Sequence, residues 1–229
     1  MQWIPSSDVF TYEITPSPRI FTKRAILSAI ARIYDPLGFL SPTVFYAKTI
    51  LQDAWKSSCD WDEPVTPQIR LRWLEFLEHL LDISTVRTPS CFIPVGGVPY
   101  MIVGFCDASQ RGYSAVIYIC TSINDVNHAY LLKGKTKLAP IKLMTIPRLE
   151  LSAALLLCRL FKSCHKVITR LELREVHFFT DSTVVLGWLR TPTERMNAFL
   201  AHRIVQILEI TNRSMEPRKN TGQSCRLQL

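Results

Sequence analysis

Three acidic residues occupy positions from which carboxylates commonly act on a bound ligand. Asp107 and Asp181 each follow an apolar segment typical of a buried strand, and Glu150 lies near the start of an apolar helical segment. Acidic residues at the carboxyl ends of neighbouring strands can meet at one edge of an open α/β sheet. Grouped carboxylates suit Mg²⁺, which binds a few of them and keeps waters for substrate phosphates. The three positions therefore predict a divalent-metal site.

Each carboxylate also has an ordinary structural interpretation. Asp107 could start a turn, a position that aspartate favours. Glu150 could be stabilised by the helix dipole in a first helical turn, and Asp181, followed by Ser182, could cap the next helix. Their joint placement at a strand end, a helix start and a second strand end favours the metal site over three independent structural roles.

Residues 22–88 show the 3.6-residue apolar period of helices. Thr22 is a suitable N-cap for a first helix, which should end before Pro36 because a residue that precedes proline disfavours the α region. A second helix is predicted from Val44 to Trp55, and a third begins at Pro67. The residues expected in the core of this helical segment are Trp55, Trp73, Leu74 and Leu77.

Residues 98–212 predict a mixed β-sheet with helices packed against it. Three strands come first, and the first two form a hairpin with its turn at residues 107–112. A helix that begins at Pro147, a strand from Val176 to Thr180 and two further helices follow, so the fold class is α/β. The expected domains are, in order, an extended tail (1–21), a helical segment (22–88), the mixed-sheet domain (98–212) and a flexible tail (213–229).

The composition favours a globular protein with an anionic partner. Of the 229 residues, 48% are hydrophobic and 20% charged, which excludes a disordered or fibrous chain. The net charge of +8 suits nucleic acid, although many soluble domains are mildly basic. The seven cysteines form no Cys-x-x-Cys pair, which favours buried, reduced thiols. With no membrane-spanning segment or signal peptide expected, we predict a soluble, intracellular protein, in either the cytoplasm or the nucleus.

Longer sequence segments surround the three carboxylates. They are Phe105-Cys106-Asp107-Ala108-Ser109 with Gly112-Tyr113-Ser114-Ala115, then Ile146-Pro147-Arg148-Leu149-Glu150-Leu151, then Phe179-Thr180-Asp181-Ser182. Together they resemble the ribonuclease H-like domain of retroelement reverse transcriptases. Upstream, Tyr34-Asp35-Pro36-Leu37-Gly38 and Trp61-Asp62-Glu63 look like the connection between polymerase and ribonuclease H in BEL/Pao-type retrotransposon polyproteins.

The resemblance implies a nuclease that cleaves the RNA strand of RNA–DNA hybrids with two Mg²⁺ ions. Asp107 would bridge both ions, and Glu150 and Asp181 would each bind on one side. It also implies two partners, the hybrid and the remainder of a polyprotein or reverse transcriptase. The basic residues that could hold the hybrid through its backbone, or could form only a solvated surface, are Arg111, Lys135 and Arg148, with Lys133, Lys137 and Lys142.

One feature departs from the family pattern, which normally includes a fourth carboxylate near the last helix. After Asp181 the acidic residues are Glu194, Glu209 and Glu216. Glu209 has the spacing of a solvated position on an amphipathic helix, so we do not expect it to be a ligand. This departure makes a catalytically inactive module that binds nucleic acid, or supports a polyprotein, the alternative interpretation.

Two other activities are less favoured. The family is sometimes labelled Pao retrotransposon peptidase, yet the chain contains no Asp-Thr-Gly or Asp-Ser-Gly, so an aspartic peptidase is the least favoured function. A Tyr-x-Asp-Asp polymerase motif is also absent from the sequence. His177 and His202 are interpreted as sheet-face and helix-face residues rather than catalytic groups.

Overall fold

The computed structural model describes residues 1–14, 20–90, 98–171, 173–215 and 225–228, with the backbone alone after residue 211. The chain divides into two compact units. The first comprises residues 1–36 and 40–93, and the second comprises residues 37–39 and 94–229. Within the described ranges, no helix combines the length and the apolar character needed to cross a membrane.

The first unit contains three short strands and three helices, in the order β1 (Gln2–Ile4), β2 (Val9–Thr11), α1 (Lys23–Ala31), α2 (Ser41–Lys56), α3 (Pro67–Leu80) and β3 (Thr88–Pro89), with a 3₁₀ turn at Leu81–Thr85. The predicted N-cap is confirmed, because Thr22 Oγ1 accepts a hydrogen bond from the Ala25 amide at 3.2 Å. Pro67 begins α3, where the missing amide hydrogen costs no helical hydrogen bond. Ile26, Ile50 and Trp73 are almost fully buried and form the centre of the core.

Two expectations for this unit differ from the structure. Residues 1–14 are not simply an extended tail, since β1, β2 and β3 form an antiparallel sheet. The pairing of β2 with β3 joins residues far apart in the sequence, so local patterns do not reveal it. Trp55 is 46% exposed and contacts the Trp61 ring edge-on at 4.9 Å, whereas Trp73 is buried as expected.

The second unit contains a five-stranded mixed sheet and flanking helices. Its elements are β4 (Tyr100–Ser109), β5 (Gly112–Ile123), β6 (Val126–Leu138), α4 (Ile146–Ser163), α5 (His165–Ile168), β7 (Leu173–Phe179), α6 (Thr183–Arg190), a 3₁₀ turn (Thr193–Arg195), α7 (Ala198–Met215) and β8 (Cys225–Gln228). The strand order in the sheet is β6-β5-β4-β7-β8. Strands β6, β5 and β4 pair antiparallel, whereas β4, β7 and β8 run parallel. This arrangement confirms the α/β class with a mixed sheet and flanking helices.

Helix α4 packs closely on the centre of this sheet. Its apolar residues, including Leu149 and Leu157, are buried against the strands. At Gly104 of β4, an added Cβ would lie 2.7 Å from Leu157 Cδ1 and 2.9 Å from Phe178 Cδ1. The absence of a side chain at Gly104 therefore allows α4 to approach the sheet closely.

The end of the chain differs from the expected flexible tail. Helix α7 continues to Met215, and Cys225–Gln228 pair in parallel with β7. A strand of four residues carries too weak a local pattern to be recognised, and its hydrogen-bond partners come from the distant edge of β7. The rest of the expected tail, residues 216–224 and 229, lies outside the described residues.

Candidate active site

Asp107 and Asp181 lie just past the point where the pairing of the parallel strands β4 and β7 ends. The last pair in the β4–β7 ladder is Phe105 with Phe179, so each aspartate follows two residues after this pair. Neighbouring strands are about 4.8 Å apart. Both aspartates are exposed. The fold thus brings these two predicted site residues to the same edge of the sheet.

Asp107 is part of a strand and not of a turn, which corrects the turn interpretation. β4 continues through Ser109, and Asp107 pairs with Ser114 of β5. The hairpin loop is only Gln110 and Arg111. A two-residue loop suffices to connect antiparallel strands, so the ladder extends further than the polar sequence suggests. As a result, Asp107 is held in the regular part of β4, at a level of the sheet that lies beyond the end of β7.

Glu150 lies in the second turn of α4 rather than in the first. The helix begins at Ile146, and its first turn contains Pro147 but no acidic residue. The dipole effect declines within the first turn, so it gives little reason for a carboxylate at this position. The side chain of Glu150 is half-buried.

Ser182, and not Asp181, caps helix α6. Its Oγ accepts a hydrogen bond from the Val185 amide at 3.3 Å, and the same hydroxyl donates to Oε2 of Glu150. Its own amide donates to Thr180 Oγ1 at 3.3 Å. Because Ser182 takes the capping role, the Asp181 carboxylate is not needed for it.

The buried Cys106 thiol lies near three negatively charged side chains. Burial raises its pKa to about 12, and a hydrogen bond with Thr180 acts in the opposite direction. The negative charges of Asp107, Asp181 and Glu150 each raise this pKa further. All three carboxylates are therefore within electrostatic reach of a single buried sulfur, although they are far apart in the sequence.

The three side chains do not form a ready-made metal cage. Among the described residues, no three His, Cys, Asp or Glu side chains are grouped closely enough to hold a metal ion. Asp107 Oδ1 accepts a hydrogen bond from the Ala108 amide at 2.6 Å, and Glu150 is engaged by Ser182. The donor set nevertheless suits Mg²⁺, since it consists of carboxylates.

The three basic residues predicted to bind nucleic acid are all exposed. Arg111 lies in the β4–β5 loop, and Lys135 lies on β6 opposite Ala115. The guanidinium of Arg148, two residues before Glu150, lies 5.3 Å from the centre of the Phe199 ring. Their role in binding nucleic acid stays a prediction.

The two histidines occupy different environments. His177 is half-buried on β7, and its Nε2 lies 2.6 Å from Oε2 of Glu175, while its buried Nδ1 has no hydrogen-bond partner. His202 is exposed on α7, and its ring contacts the amide nitrogen of Gln206. Neither histidine is among the groups that affect the Cys106 pKa.

Sequence reasoning predicted a buried thiol at Cys106 but missed the two buried hydroxyl groups near the carboxylates, those of Thr180 and Ser182. A signal for them exists in the sequence. At the point where the pairing of β4 with β7 ends, both chain segments have the sequence Phe-x-Asp, with Cys106 or Thr180 as the middle residue. The middle residue of each triplet points in the buried direction, whereas the aspartate is exposed.

The mixed sheet, its flanking helices and the acidic ends of its central parallel strands define a ribonuclease H-like fold. Residues 22–182 match the family described as the Pao retrotransposon-like RNaseH-like domain, and the chain belongs to this family. The match spans the helices of the first unit and strands β4 to β7 of the sheet, and includes all three carboxylates. No curated protein sequence matches the chain.

Several solved ribonucleases H are similar in structure. RNase H1 of the archaeon Halobacterium salinarum NRC-1 is 11% identical with a TM-score of 0.32, covering 56% of this chain and 85% of its own. The N-terminal RNase H domain of rv2228c from Mycobacterium tuberculosis is 13% identical with a TM-score of 0.34; the match covers 58% of this chain and 87% of that domain's chain. LC11-RNase H1 was isolated from compost, and its structure in complex with an RNA/DNA hybrid is 15% identical with a TM-score of 0.32. The match covers 56% of this chain and 86% of the LC11-RNase H1 chain.

Proposed function

We propose that the mixed-sheet domain is a metal-dependent nuclease that cleaves the RNA strand of RNA–DNA hybrids. The proposal is supported by the placement of three carboxylates: the pairing of β4 with β7 brings Asp107 and Asp181 to one edge of the sheet, and Ser182, the neighbour of Asp181, donates a hydrogen bond to Glu150. Three carboxylates collected at one exposed sheet edge suit a polyanionic substrate only if cations lie between them and the phosphates. Membership of the Pao retrotransposon-like family supports the same reaction.

Each carboxylate has a distinct part in the proposed site. Asp107 and Asp181, on neighbouring strands, would hold metal from the sheet, and Glu150 would hold it from α4. Ser182 would orient Glu150 through its hydrogen bond. Bound Mg²⁺ ions supply Lewis-acid stabilisation of phosphate charge and a more acidic water.

The positive charge of the domain would hold the hybrid through its phosphate backbone. Arg111, Lys135 and Arg148 are the proposed contacts, and all three side chains are exposed. Backbone contacts of this kind do not read sequence, and the RNA strand would be distinguished by its 2′-hydroxyl groups. The helical first unit would act as the connection to the rest of a retrotransposon polyprotein.

The direct test incubates the full chain with a labelled RNA–DNA hybrid and Mg²⁺. We expect cleavage of the RNA strand that is lost in Asp107→Asn. The matched control is Asp125→Asn, in the exposed β5–β6 turn, where Asp125 has a φ of 61° that asparagine also tolerates. Cleavage that persists in Asp107→Asn but is metal-dependent would overturn the assignment of the site.

A second candidate is an inactive domain that binds nucleic acid. One observation favours it: the described residues contain no group of three His, Cys, Asp or Glu side chains already assembled for a metal ion. This candidate predicts salt-sensitive binding of the hybrid without cleavage in either Mg²⁺ or Mn²⁺. Cleavage by the unmodified chain would exclude it.

A further inference from the structure

The two edges of the mixed sheet differ in how much backbone they present. One edge is β8, with four residues, and the other is β6, with 13 residues. An edge strand presents unpaired N–H and C=O groups that can pair with another strand, and proteins limit this with short strands, charges, bulges or covering segments. The short β8 fits this pattern, so β6 is the edge on which a further strand has room to pair.

The C-terminal half of β6 is protected in three ways. The amide of Gly134 donates to the backbone oxygen of Leu37 at 2.8 Å, so Leu37 covers this part of the edge. Leu132 is skipped in the ladder with β5, which marks a bulge. Positive charge is contributed by Lys133, Lys135 and Lys137. Pairing with a further strand is therefore disfavoured along this half.

The N-terminal half of β6, residues 126–132, has a different character, and we refer to it as the open edge. Its sequence is Val-Asn-His-Ala-Tyr-Leu-Leu, which contains no charge and no proline. Short uncharged segments rich in β-branched, aromatic and aliphatic residues are those that pair readily with other strands. Val126 is 56% exposed, and Asn127 and Ala129 are exposed as well. The open edge is thus accessible and lacks the charges that deter pairing.

The backbone of the open edge points outward at every second residue. Successive residues of an antiparallel strand direct their N–H and C=O groups to opposite sides. Gly134, whose amide points outward to Leu37, pairs with Val116 of β5. The even-numbered residues of β5 that follow Val116 therefore have outward-pointing partners in β6, which are Leu131, Ala129 and Asn127. Within the described part of the chain, none of these three has a backbone hydrogen bond on the outer side.

The open edge is complementary to itself in the antiparallel direction. If two copies pair about Ala129, each Ala129 meets the other, and Asn127 of one copy lies opposite Leu131 of the second copy. All of these residues are uncharged, so no like charges meet. The small side chain of Ala129 leaves room at the centre of such a pairing.

The charges that flank the open edge favour the same direction. Asp125, exposed in the β5–β6 turn, and Lys133 each lie four residues from Ala129, so Asp125 of one copy comes level with Lys133 of the second copy. Lys133 donates to the hydroxyl of Ser163 at 3.1 Å, an uncharged acceptor that leaves its charge in place. A parallel pairing in register would instead place Lys133 beside Lys133. Opposite charges across a strand pair are favourable and like charges are unfavourable.

Two aromatic rings extend the complementarity on the other face of the strand. The rings of His128 and Tyr130 stack with their centres 6.3 Å apart and their planes 13° from parallel. In the antiparallel pairing, His128 of one copy lies opposite Tyr130 of the second copy, so four rings form one row. Aromatic pairs across neighbouring strands stabilise a sheet.

We propose that the open edge pairs with the open edge of a second copy of this chain. The two copies form a symmetric dimer with Ala129 at the two-fold axis, and their mixed sheets join into one continuous sheet. A pairing of seven residues buries less than the about 1,200 Å² of a standard stable interface, so the dimer is reversible and depends on concentration. This inference is independent of the nuclease proposal, because none of the three carboxylates lies on β6.

The test is sedimentation velocity of the full chain over a wide range of concentration. Nucleic acid is removed and the salt concentration is high, since the positively charged chain could otherwise be linked through a polyanion. We expect a dimer whose fraction rises with concentration. Ala129→Lys should weaken association by at least about tenfold, because two like charges meet at the axis. A chain that stays monomeric at every concentration would overturn the proposal and leave the edge to a strand of another protein.

The matched control is Ala31→Lys, the same substitution at an exposed position of α1. It should dimerise like the wild type, and equal behaviour of the two lysine variants would overturn the proposal. Ala129→Pro is a second variant, since its missing amide hydrogen points outward and costs no hydrogen bond to β5. Circular dichroism establishes that each variant is folded. A folded Ala129→Pro that dimerises like the wild type would also overturn the proposal.

Disulfide cross-linking tests the register. Ala129→Cys and Asn127→Cys are compared in a Cys120→Ser background, because Cys120 pairs with Ala129 within the chain and would compete. Hydrogen-bonded residues of an antiparallel pair have Cα atoms about 5.5 Å apart, within the range of a disulfide. Cysteine at 129 should therefore link two copies on oxidation. Cysteine at 127 should not, since its counterpart is four residues away along the strand, roughly 13 Å. Linkage at 127 and not at 129 would overturn the proposed pairing.

Discussion

The hydroxyl of Ser182 donates a hydrogen bond to Oε2 of Glu150, which joins the start of α6 to the second turn of α4. The same hydroxyl caps α6 by accepting from the Val185 amide. Ser182 is buried, whereas Glu150 is half-buried and faces the sheet edge. One residue thus stabilises a helix and restricts the position of a proposed metal ligand.

Ser182→Ala should affect both stability and cleavage. Loss of the cap costs about 1–2 kcal/mol of the free energy of unfolding, and release of Glu150 should slow RNA cleavage. Denaturation in urea and the hybrid assay measure the two effects. Thr22→Ala is the control, since it removes a comparable cap from α1 with no link to a carboxylate. If Ser182→Ala cleaves as fast as the wild type, its hydrogen bond has no positioning role.

Glu150→Gln should abolish cleavage without unfolding the protein. The amide oxygen can still accept from Ser182, but the charge that would attract a cation is lost. We expect cleavage to fall by at least about 100-fold, since removing even an outer-shell partner of a metal costs 10–100-fold. Glu209→Gln, at an exposed position of α7, should cleave normally. Loss of cleavage in Glu209→Gln would instead identify Glu209 as the fourth carboxylate.

Gly104→Ala should destabilise the mixed-sheet unit, because the new Cβ would lie 2.7 Å from Leu157 and 2.9 Å from Phe178. Overpacking of this kind costs about 1–3 kcal/mol. Gly187→Ala in α6 is the opposite case, since no atom beyond its chain neighbours and its own helical backbone lies within 4 Å of the added Cβ, and alanine favours the helix by about 0.5–1 kcal/mol. Thermal unfolding should shift downward for the first variant and upward for the second. A neutral Gly104→Ala would mean that α4 is not packed on β4 as described.

Tyr12 provides a pH-dependent test of the N-terminal sheet. Its side chain is buried and its hydroxyl donates to Asp35 at 3.1 Å; burial raises its pKa, and Asp35 raises it further. Because the pKa of Tyr12 is higher in the folded than in the unfolded state, the neutral hydroxyl stabilises the folded state. This stabilisation is fully present below about pH 10, the ordinary pKa of tyrosine, and is lost as the pH rises from there through the folded-state pKa.

Tyr12→Phe should therefore lose about 1 kcal/mol of stability at neutral pH and show a smaller decline between neutral and alkaline pH than the wild type. Circular dichroism during urea unfolding measures both quantities. Tyr34→Phe, at a side chain that is 66% exposed, serves as the control. If the two variants behave alike, residues 1–14 are not part of the folded unit.

The helices could be predicted from the sequence because their signals are local. Thr22 as a cap, and Pro67 and Pro147 in first turns, mark the starts of α1, α3 and α4 within a residue or so. The apolar strands of the hairpin also carry a clear signal. These features depend only on neighbours along the chain.

The remaining features depend on contacts between distant residues. The pairing of Phe105 with Phe179 brings Asp107 beside Asp181, and the pairing of β2 with β3 recruits the N-terminus into a sheet. The sequence therefore singles out the three carboxylates as candidates but does not predict that Asp107 lies within a strand. It also does not reveal Ser182 as the link to Glu150, because this contact depends on how α4 and α6 are placed.

The most direct test of the account is a crystal structure of the chain grown with Mn²⁺, which gives an anomalous diffraction signal and replaces Mg²⁺ at oxygen ligands. We predict an anomalous peak at the edge of the sheet, about 2.0–2.3 Å from carboxylate oxygens of Asp107, Glu150 and Asp181. An edge that stays empty at saturating Mn²⁺, or a peak that contacts none of these three carboxylates, would contradict the central claim.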